Sequence, residues 1–250
     1  MPEFFQTALQ TEGLVWICFA ALVAGIVRGF SGFGTALVYL PVAGSYLDPV
    51  SALLSLMVMD FFGPIPNVPR AWREAKRGEL FKLLAAALLV LPIATFILTA
   101  MRPEIFRYLV SIVALSLLAL LILGVRYRGE FKNWMLYGAG LIGGFLGGVA
   151  GTPGPPVIMI YMASENPPAV IRAVNMLYLW IFDIAMVLVF AVRGLLSLAA
   201  MTVGAIVTVP YLIGNIIGQW IFNPEKEKLY RWVAYGIIAV SAIRGLPIWG

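Results

Sequence analysis

Histidine is absent from the 250-residue chain, and cysteine occurs only once, at Cys18. The absence of histidine removes the commonest proton shuttle and the commonest metal ligand of proteins. No cluster of carboxylates replaces it, so a metalloenzyme is disfavoured and we expect neither a metal nor another cofactor. A single cysteine also excludes an internal disulfide, and its simplest role is that of a small core residue.

Charged side chains are also scarce. They make up 12% of the residues, whereas 62% are hydrophobic, and the mean hydropathy is +0.95. A soluble core cannot bury so much apolar surface. Uncharged runs at 83–101, 108–125 and 194–224 are long enough to cross a bilayer, which takes ~20 helical residues. They lack the alternation of a transmembrane β-barrel, so we expect an all-α polytopic protein surrounded by membrane lipid.

The net charge of +5 arises from 17 Lys and Arg against 12 Asp and Glu. In a membrane protein such an excess of basic residues is typical of the loops on one side of the membrane, so it does not indicate a nucleic-acid surface and no nucleic-acid partner is expected. With the N-terminus outside, twelve basic residues lie in inside loops and flanks and four lie outside, while Arg28 at the first motif is left unassigned. This distribution satisfies the positive-inside rule. This orientation places both termini outside and the loops 70–79 and 126–132 in the cytoplasm.

Glycine is concentrated in two otherwise apolar segments. Residues 24–41 read AGIVRGFSGFGTALVYLP, and residues 144–156 read GFLGGVAGTPGPP. Four positions match at one shift of 119 residues (144 minus 25): Gly25 with Gly144, Gly29 with Gly148, Gly32 with Gly151, and Pro49 with Pro168. A constant shift indicates a duplicated unit. We therefore divide the chain into a first repeat, 1–125, and a second, 126–250, which together form one membrane domain.

Apolar runs between charges and Pro or Gly predict ten helical elements, five in each half. They lie near 14–29, 33–47, 49–67, 79–101, 104–124, 133–150, 154–164, 168–192, 195–222 and 227–246. An odd number per half makes the second half enter the membrane from the opposite side, so inverted repeats are expected. The second and seventh elements are only about 22 and 16 Å long. Each fits the second arm of a re-entrant hairpin whose tip is the glycine motif. Two full crossings would return the chain to the same side of the membrane as one hairpin, so the other helices would keep their orientation in either case.

At each motif the chain breaks and a helix begins, which leaves backbone donors and the positive end of the helix dipole at the break. Two such breaks near the bilayer midplane would form an anion site without a buried lysine. The predicted anion-binding residues are Ser31, Gly32, Phe33, Gly34 and Thr35 in the first motif and Gly151, Thr152, Pro153 and Gly154 in the second. The alternative is close helix packing through small residues spaced four apart, as at 25–29 and 144–148.

Ionisable residues inside spans are costly and therefore suggest function. Arg28 precedes the first motif and either attracts the anion or extends to the membrane interface. Asp60 and Asp183 are predicted inside helices, where they either carry coupling protons or form structural hydrogen bonds. Asn175 follows the second motif and is the uncharged polar helix residue best placed to bind substrate.

The motif GFSGFGTALVYLP, followed by the Asp48-Pro49 turn, and the second motif GGVAGTPGPPVIMIYM resemble the TauE/SafE family of sulfite exporter-like proteins, also called the toluene sulfonate uptake permease family. The resemblance covers nearly the whole chain. It implies a multi-pass transporter of the bacterial inner membrane for small sulfur-containing or organic anions such as sulfite, sulfoacetate or other sulfonates. The second motif departs from a glycine-only pattern through Thr152 and three prolines, so the substrate contacts stay open.

Two functions from different classes remain. The first is a secondary transporter that works by alternating access with ion or proton coupling, since the chain has no nucleotide-binding P-loop. The second is a membrane module that assists a partner complex without transporting anything. The direction of transport, the coupling ion and the formation of a homo-oligomer stay open at this point.

Overall fold

The computed structural model describes residues 3–31, 33–123, 132–161, 164 and 166–248. Over these residues helices are the only regular secondary structure and no strand occurs, which confirms the predicted all-α class. The described α-helices are α1 (Glu3–Leu9), α2 (Leu14–Ser31), α3 (Thr35–Ala43), α4 (Pro49–Phe61), α5 (Val68–Glu74), α6 (Arg77–Ala100), α7 (Pro103–Ile122), α8 (Asn133–Ala150), α9 (Gly154–Tyr161), α10 (Pro168–Val192), α11 (Leu198–Ile221) and α12 (Glu227–Gly245). Short 3-10 helices precede α5 and α12.

The predicted helix starts agree with the structure at several positions. Helices α2, α4, α8, α9 and α10 begin at residues 14, 49, 133, 154 and 168, as the apolar runs and prolines predict. The two elements predicted to be short are short, with nine residues in α3 and eight in α9. Each follows a glycine-rich break in the helical structure.

The prediction of one helix over 49–67 is wrong. Helix α4 ends at Phe61, and the helical segment Ile65–Glu74 that follows is bent from it by 48°. Pro64 and Pro66 explain the break, because a proline lacks the N–H donor of a continuing helix and restricts the residue before it. The segment includes α5, so part of the predicted loop 70–79 is helical.

Five of the described helices are long and apolar enough to cross a membrane, and counting the bent pair as one span raises the number to six. The five are α2, α6, α7, α10 and α11. On α6 the side chains of Leu89 and Phe96 are 74% and 65% exposed. Large apolar side chains exposed along a whole helix are typical of a lipid-facing surface. The chain is therefore a multi-pass membrane protein.

The first of two compact units comprises Met1–Met59, Met101–Ala119 and Leu196–Gly250. In it α2 packs along α11, and α3 contacts α2 and α12. A Cβ atom added to Gly25 or Gly29 would lie less than 3.0 Å from the backbone of α11. Gly214 and Gly218 approach the backbone of α2 equally closely from the other side. These four glycines form what we call the α2–α11 seam, in which two helix backbones touch because no side chains separate them.

The second unit comprises Asp60–Ala100 and Leu120–Leu195. Here α8 packs along α6, α9 contacts α8 and α10, and α10 also contacts α5 and α6. A Cβ atom on Gly144 would lie 2.6 Å from Ala87 Cα, and one on Gly148 would lie within 3.0 Å of Ala94 Cβ. Close helix packing therefore accounts for the glycines at 25–29 and at 144–148.

Candidate functional site

The first break belongs to the first unit and separates α2 from α3. Phe33 and Gly34 lie between the two helices, whereas the predicted residue Gly32 is outside the described residues. Gly34 has φ +98° and caps the start of α3 without a side-chain hydrogen bond. A residue with a Cβ rarely adopts this left-handed conformation, so glycine makes the turn possible.

The Ser31 hydroxyl forms hydrogen bonds within this turn. It lies 2.6 Å from the Val27 carbonyl oxygen and 2.8 Å from the Phe33 carbonyl oxygen, and it accepts the Phe33 N–H at 3.3 Å. These contacts join the last turn of α2 to the break. The predicted donor Ser31 is thus already engaged within the protein.

Arg28 also turns toward the first break. Its guanidinium donates a hydrogen bond to the Thr35 hydroxyl over 3.1 Å, and Thr35 is buried at the first position of α3. The first N–H groups of a helix have no partner within it and carry the positive end of its dipole. The Arg28 guanidinium lies at the same end of the helix, so the first break combines a cationic side chain with a helix N-terminus.

The second break belongs to the second unit and separates α8 from α9. Gly151 ends α8 with φ +65°, and its N–H donates to the Gly147 carbonyl oxygen at 3.0 Å. The predicted residues Gly151, Thr152, Pro153 and Gly154 follow one another, and all four are buried. The structure therefore forms a fully buried interruption of the helix where the sequence predicts one.

Three buried polar side-chain atoms near this break have no hydrogen-bond partner among the described residues: Thr152 Oγ1, Asn175 Oδ1 and Tyr178 OH. Thr152 is 4% exposed and Tyr178 is completely buried. Native proteins pair nearly all such atoms, because a buried polar atom without a partner costs about 1–3 kcal/mol. Three of them lie near this break, which makes it the candidate binding site.

Glycines on α8 make room for these atoms. The Tyr178 hydroxyl lies 2.8 Å from the point where Gly143 would carry its Cβ, and the Pro153 carbonyl oxygen lies 2.6 Å from the same point. The Asn175 Oδ1 atom lies 3.9 Å from the corresponding point on Gly154. Helix α10 therefore directs two polar side chains at the break.

Tyr178 is absent from the residues predicted from the sequence. It follows Asn175 by three positions on α10, and residues three apart share a helix face. The predicted importance of Asn175 therefore already pointed to Tyr178, although many tyrosines of the chain lie within three or four residues of some polar group. The burial of its hydroxyl, which sequence cannot supply, distinguishes it.

The two predicted intramembrane acids both belong to the second unit. Asp60 lies near the end of α4 and Asp183 in the middle of α10, and both are partly buried. Asp183 follows Tyr178 by five positions in the same helix.

The chain matches the model of the family described as sulfite exporter TauE/SafE over residues 17–245. The matched range includes both breaks and every helix from α3 to α12. Searches of curated proteins and of solved structures gave no significant match.

Proposed function

The chain belongs to the sulfite exporter TauE/SafE family, and from this premise we propose that it is a secondary transporter of small sulfur-containing or organic anions in the bacterial inner membrane. Sulfite, sulfoacetate and other sulfonates are the proposed substrates. The observation that supports a site for them best is the buried second break with its three unpartnered polar atoms.

An anion suits the second break for energetic reasons. A helix N-terminus stabilises a nearby negative charge by up to ~2 kcal/mol when partly buried. One or two hydrogen bonds to a charged acceptor add roughly 1.5–3 kcal/mol each. The total of roughly 4–8 kcal/mol corresponds to a Kd in the millimolar to micromolar range, before the entropy lost on association weakens it. Such an affinity lets a carrier release its substrate.

We assign anion contacts to the first break as well. There Arg28 supplies a positive charge beside the buried Thr35, while Phe33 and Gly34 leave the start of α3 without a side-chain cap. Gly32 and Ser31 complete the predicted set. The two breaks therefore differ in chemistry, since the first offers a cation and the second offers neutral groups.

The helix positions support the proposed inverted duplication. Helices α2 and α8 begin at 14 and 133, α3 and α9 at 35 and 154, and α4 and α10 at 49 and 168, so each pair is shifted by 119 residues (133 minus 14). Within the units, the first long helix of each half packs on a helix of the other half, α2 on α11 and α8 on α6. Inverted repeats of 1–125 and 126–250 would allow alternating access with ion or proton coupling.

Flux into proteoliposomes tests this function against a non-transporting module. The purified protein is expected to move radiolabelled sulfite, sulfoacetate or taurine when a proton gradient or a membrane potential is imposed. Failure to move any of them faster than empty liposomes would favour the alternative, a module that assists a partner complex.

A matched pair of variants tests the site. Thr152→Asp places a negative charge in the buried break and should abolish anion binding and flux by repulsion. Thr152→Val replaces the hydroxyl with a methyl group of similar size and should weaken binding about tenfold, as the loss of one hydrogen bond to a charged acceptor predicts. A folded Thr152→Asp protein with the affinity of the wild type would place the anion elsewhere.

A further inference from the structure

We propose that the Tyr178 hydroxyl contacts the substrate directly, donating a hydrogen bond to the anion beside Thr152 at the second break. This inference rests on the proposed anion transport and adds a specificity-determining residue to its site. Three observations support it: few backbone N–H donors are present at the start of α9, the Tyr178 hydroxyl lies beside the break, and that hydroxyl has no hydrogen-bond partner among the described residues.

The start of α9 is short of backbone donors. A helix normally presents four N–H groups without an intrahelical partner at its N-terminus. In α9 the second and third residues are Pro155 and Pro156, which have no N–H, so only Gly154 and Val157 contribute. Half of the usual donors are missing, and an anion bound here needs hydroxyl donors from side chains.

Tyr178 is placed to supply one. Its hydroxyl and the Pro153 carbonyl oxygen both lie within 2.8 Å of the point where Gly143 would carry its Cβ, so both atoms occupy the space that the absent side chain leaves. The ring of Phe182 stacks on the ring of Tyr178 with centroids 6.1 Å apart and planes 30° apart. The same Phe182 ring fills the space left by Gly147, one turn further along α8. The hydroxyl is therefore held at the break by a rigid aromatic pair.

Packing alone does not explain a tyrosine at this position. Tyr178 is completely buried, and its hydroxyl has no partner among the described residues. A buried polar atom without a partner lowers stability, and phenylalanine would fill nearly the same volume without burying one. By contrast, Tyr39 is equally buried, but its hydroxyl is hydrogen-bonded to the Ser55 hydroxyl at 2.8 Å. The Tyr39 hydroxyl has a structural role, whereas that of Tyr178 is available for a ligand.

This contrast supplies the experiment. Tyr178→Phe and Tyr39→Phe remove the same atom from two buried tyrosines, and each variant is measured for equilibrium binding of radiolabelled sulfite and sulfoacetate in detergent and for its thermal unfolding midpoint. Tyr178→Phe should bind at least one probe about tenfold more weakly, with an unfolding midpoint unchanged or raised. Tyr39→Phe should unfold at a lower temperature and keep the affinity of the wild type.

The outcomes separate this inference from the proposed function. Unchanged affinity in Tyr178→Phe, together with lost binding in Thr152→Asp, would remove Tyr178 from the site and leave the function intact. A fall in midpoint for Tyr178→Phe as large as that for Tyr39→Phe would show a structural role and overturn the inference. Wild-type protein that binds neither probe would overturn both the inference and the proposed function.

Discussion

Replacing Gly25 with alanine adds one methyl group to the α2–α11 seam. The new Cβ would lie less than 3.0 Å from the Tyr211 carbonyl oxygen and 2.9 Å from the Asn215 nitrogen. Both atoms belong to the backbone of α11, so neither can rotate away as a flexible side chain would. The two helices must separate, and because the seam is continuous, the close approaches of Gly214 and Gly218 to α2 are loosened as well.

The magnitude follows from two opposing terms. Overpacking a well-fitted contact costs typically 1–3 kcal/mol. Alanine regains about 0.5–1 kcal/mol because it restricts the unfolded chain more than glycine does and favours the helix. The close contact is with backbone on both sides, which places the cost toward the upper end. We therefore expect Gly25→Ala to lower the free energy of unfolding by about 1–2.5 kcal/mol.

Gly236→Ala is the matched control. Gly236 lies in α12 of the same unit, and a Cβ added there meets nothing within 4 Å. Only the helix-propensity term remains, so this variant should be as stable as the wild type or up to about 1 kcal/mol more stable.

Unfolding by SDS in mixed micelles, followed by circular dichroism, measures both variants under one condition. The expected order of midpoints is Gly25→Ala below the wild type and Gly236→Ala at or above it. A Gly25→Ala protein as stable as Gly236→Ala would refute the idea that backbone contact at the seam limits the residue to glycine.

Three further predictions concern other parts of the chain. Tyr161 is completely buried at the end of α9 and donates a hydrogen bond to the Glu79 carboxylate over 2.7 Å. Tyr161→Phe should therefore lower the free energy of unfolding by about 1.5–3 kcal/mol in the same assay, and an unchanged midpoint would contradict this. If Asp60 or Asp183 carries the coupling proton, its replacement by Asn should abolish gradient-driven accumulation but spare anion exchange, and normal accumulation in both variants would exclude this role. A cysteine replacing Glu74, in a background without the native cysteine, should resist impermeant thiol reagents applied from the periplasm, whereas labelling from that side would reverse the proposed orientation.

Local chain chemistry explains which parts of the fold are predictable from sequence. Helices α4 and α10 begin at Pro49 and Pro168, and both glycine motifs interrupt a helix, because proline and glycine act through their own backbone. Helix α5 was not predicted, since three of its seven residues are charged and its position depends on contact with α10. The same holds for α1, which is short and buries only Ala8. Whether such short helices form depends on contacts with segments distant in sequence, and the local residue pattern does not show these contacts.

The candidate site shows a similar division. Sequence predicts where the helices break and which residues carry hydroxyls near each break. It does not show which hydroxyls are already used, and in the structure Ser31 is engaged in its own turn whereas Thr152 Oγ1 is unpartnered among the described residues. It also omits Tyr178, because the value of that hydroxyl depends on its burial and on the space beside Gly143.

The glycines of α8 show why packing and binding are not competing explanations of the second motif. Gly144 and Gly148 face α6, where a Cβ on either would meet Ala87 or Ala94. Gly143 and Gly147 face the break, next to Pro153 and the aromatic pair on α10. Two rows of residues spaced four apart lie on different faces of a helix with 3.6 residues per turn. Gly144 and Gly148 let α8 pack closely on α6, whereas Gly143 leaves the space that the Tyr178 and Pro153 oxygens occupy. Packing therefore explains the first pair of glycines, and the candidate binding site explains the row that contains Gly143.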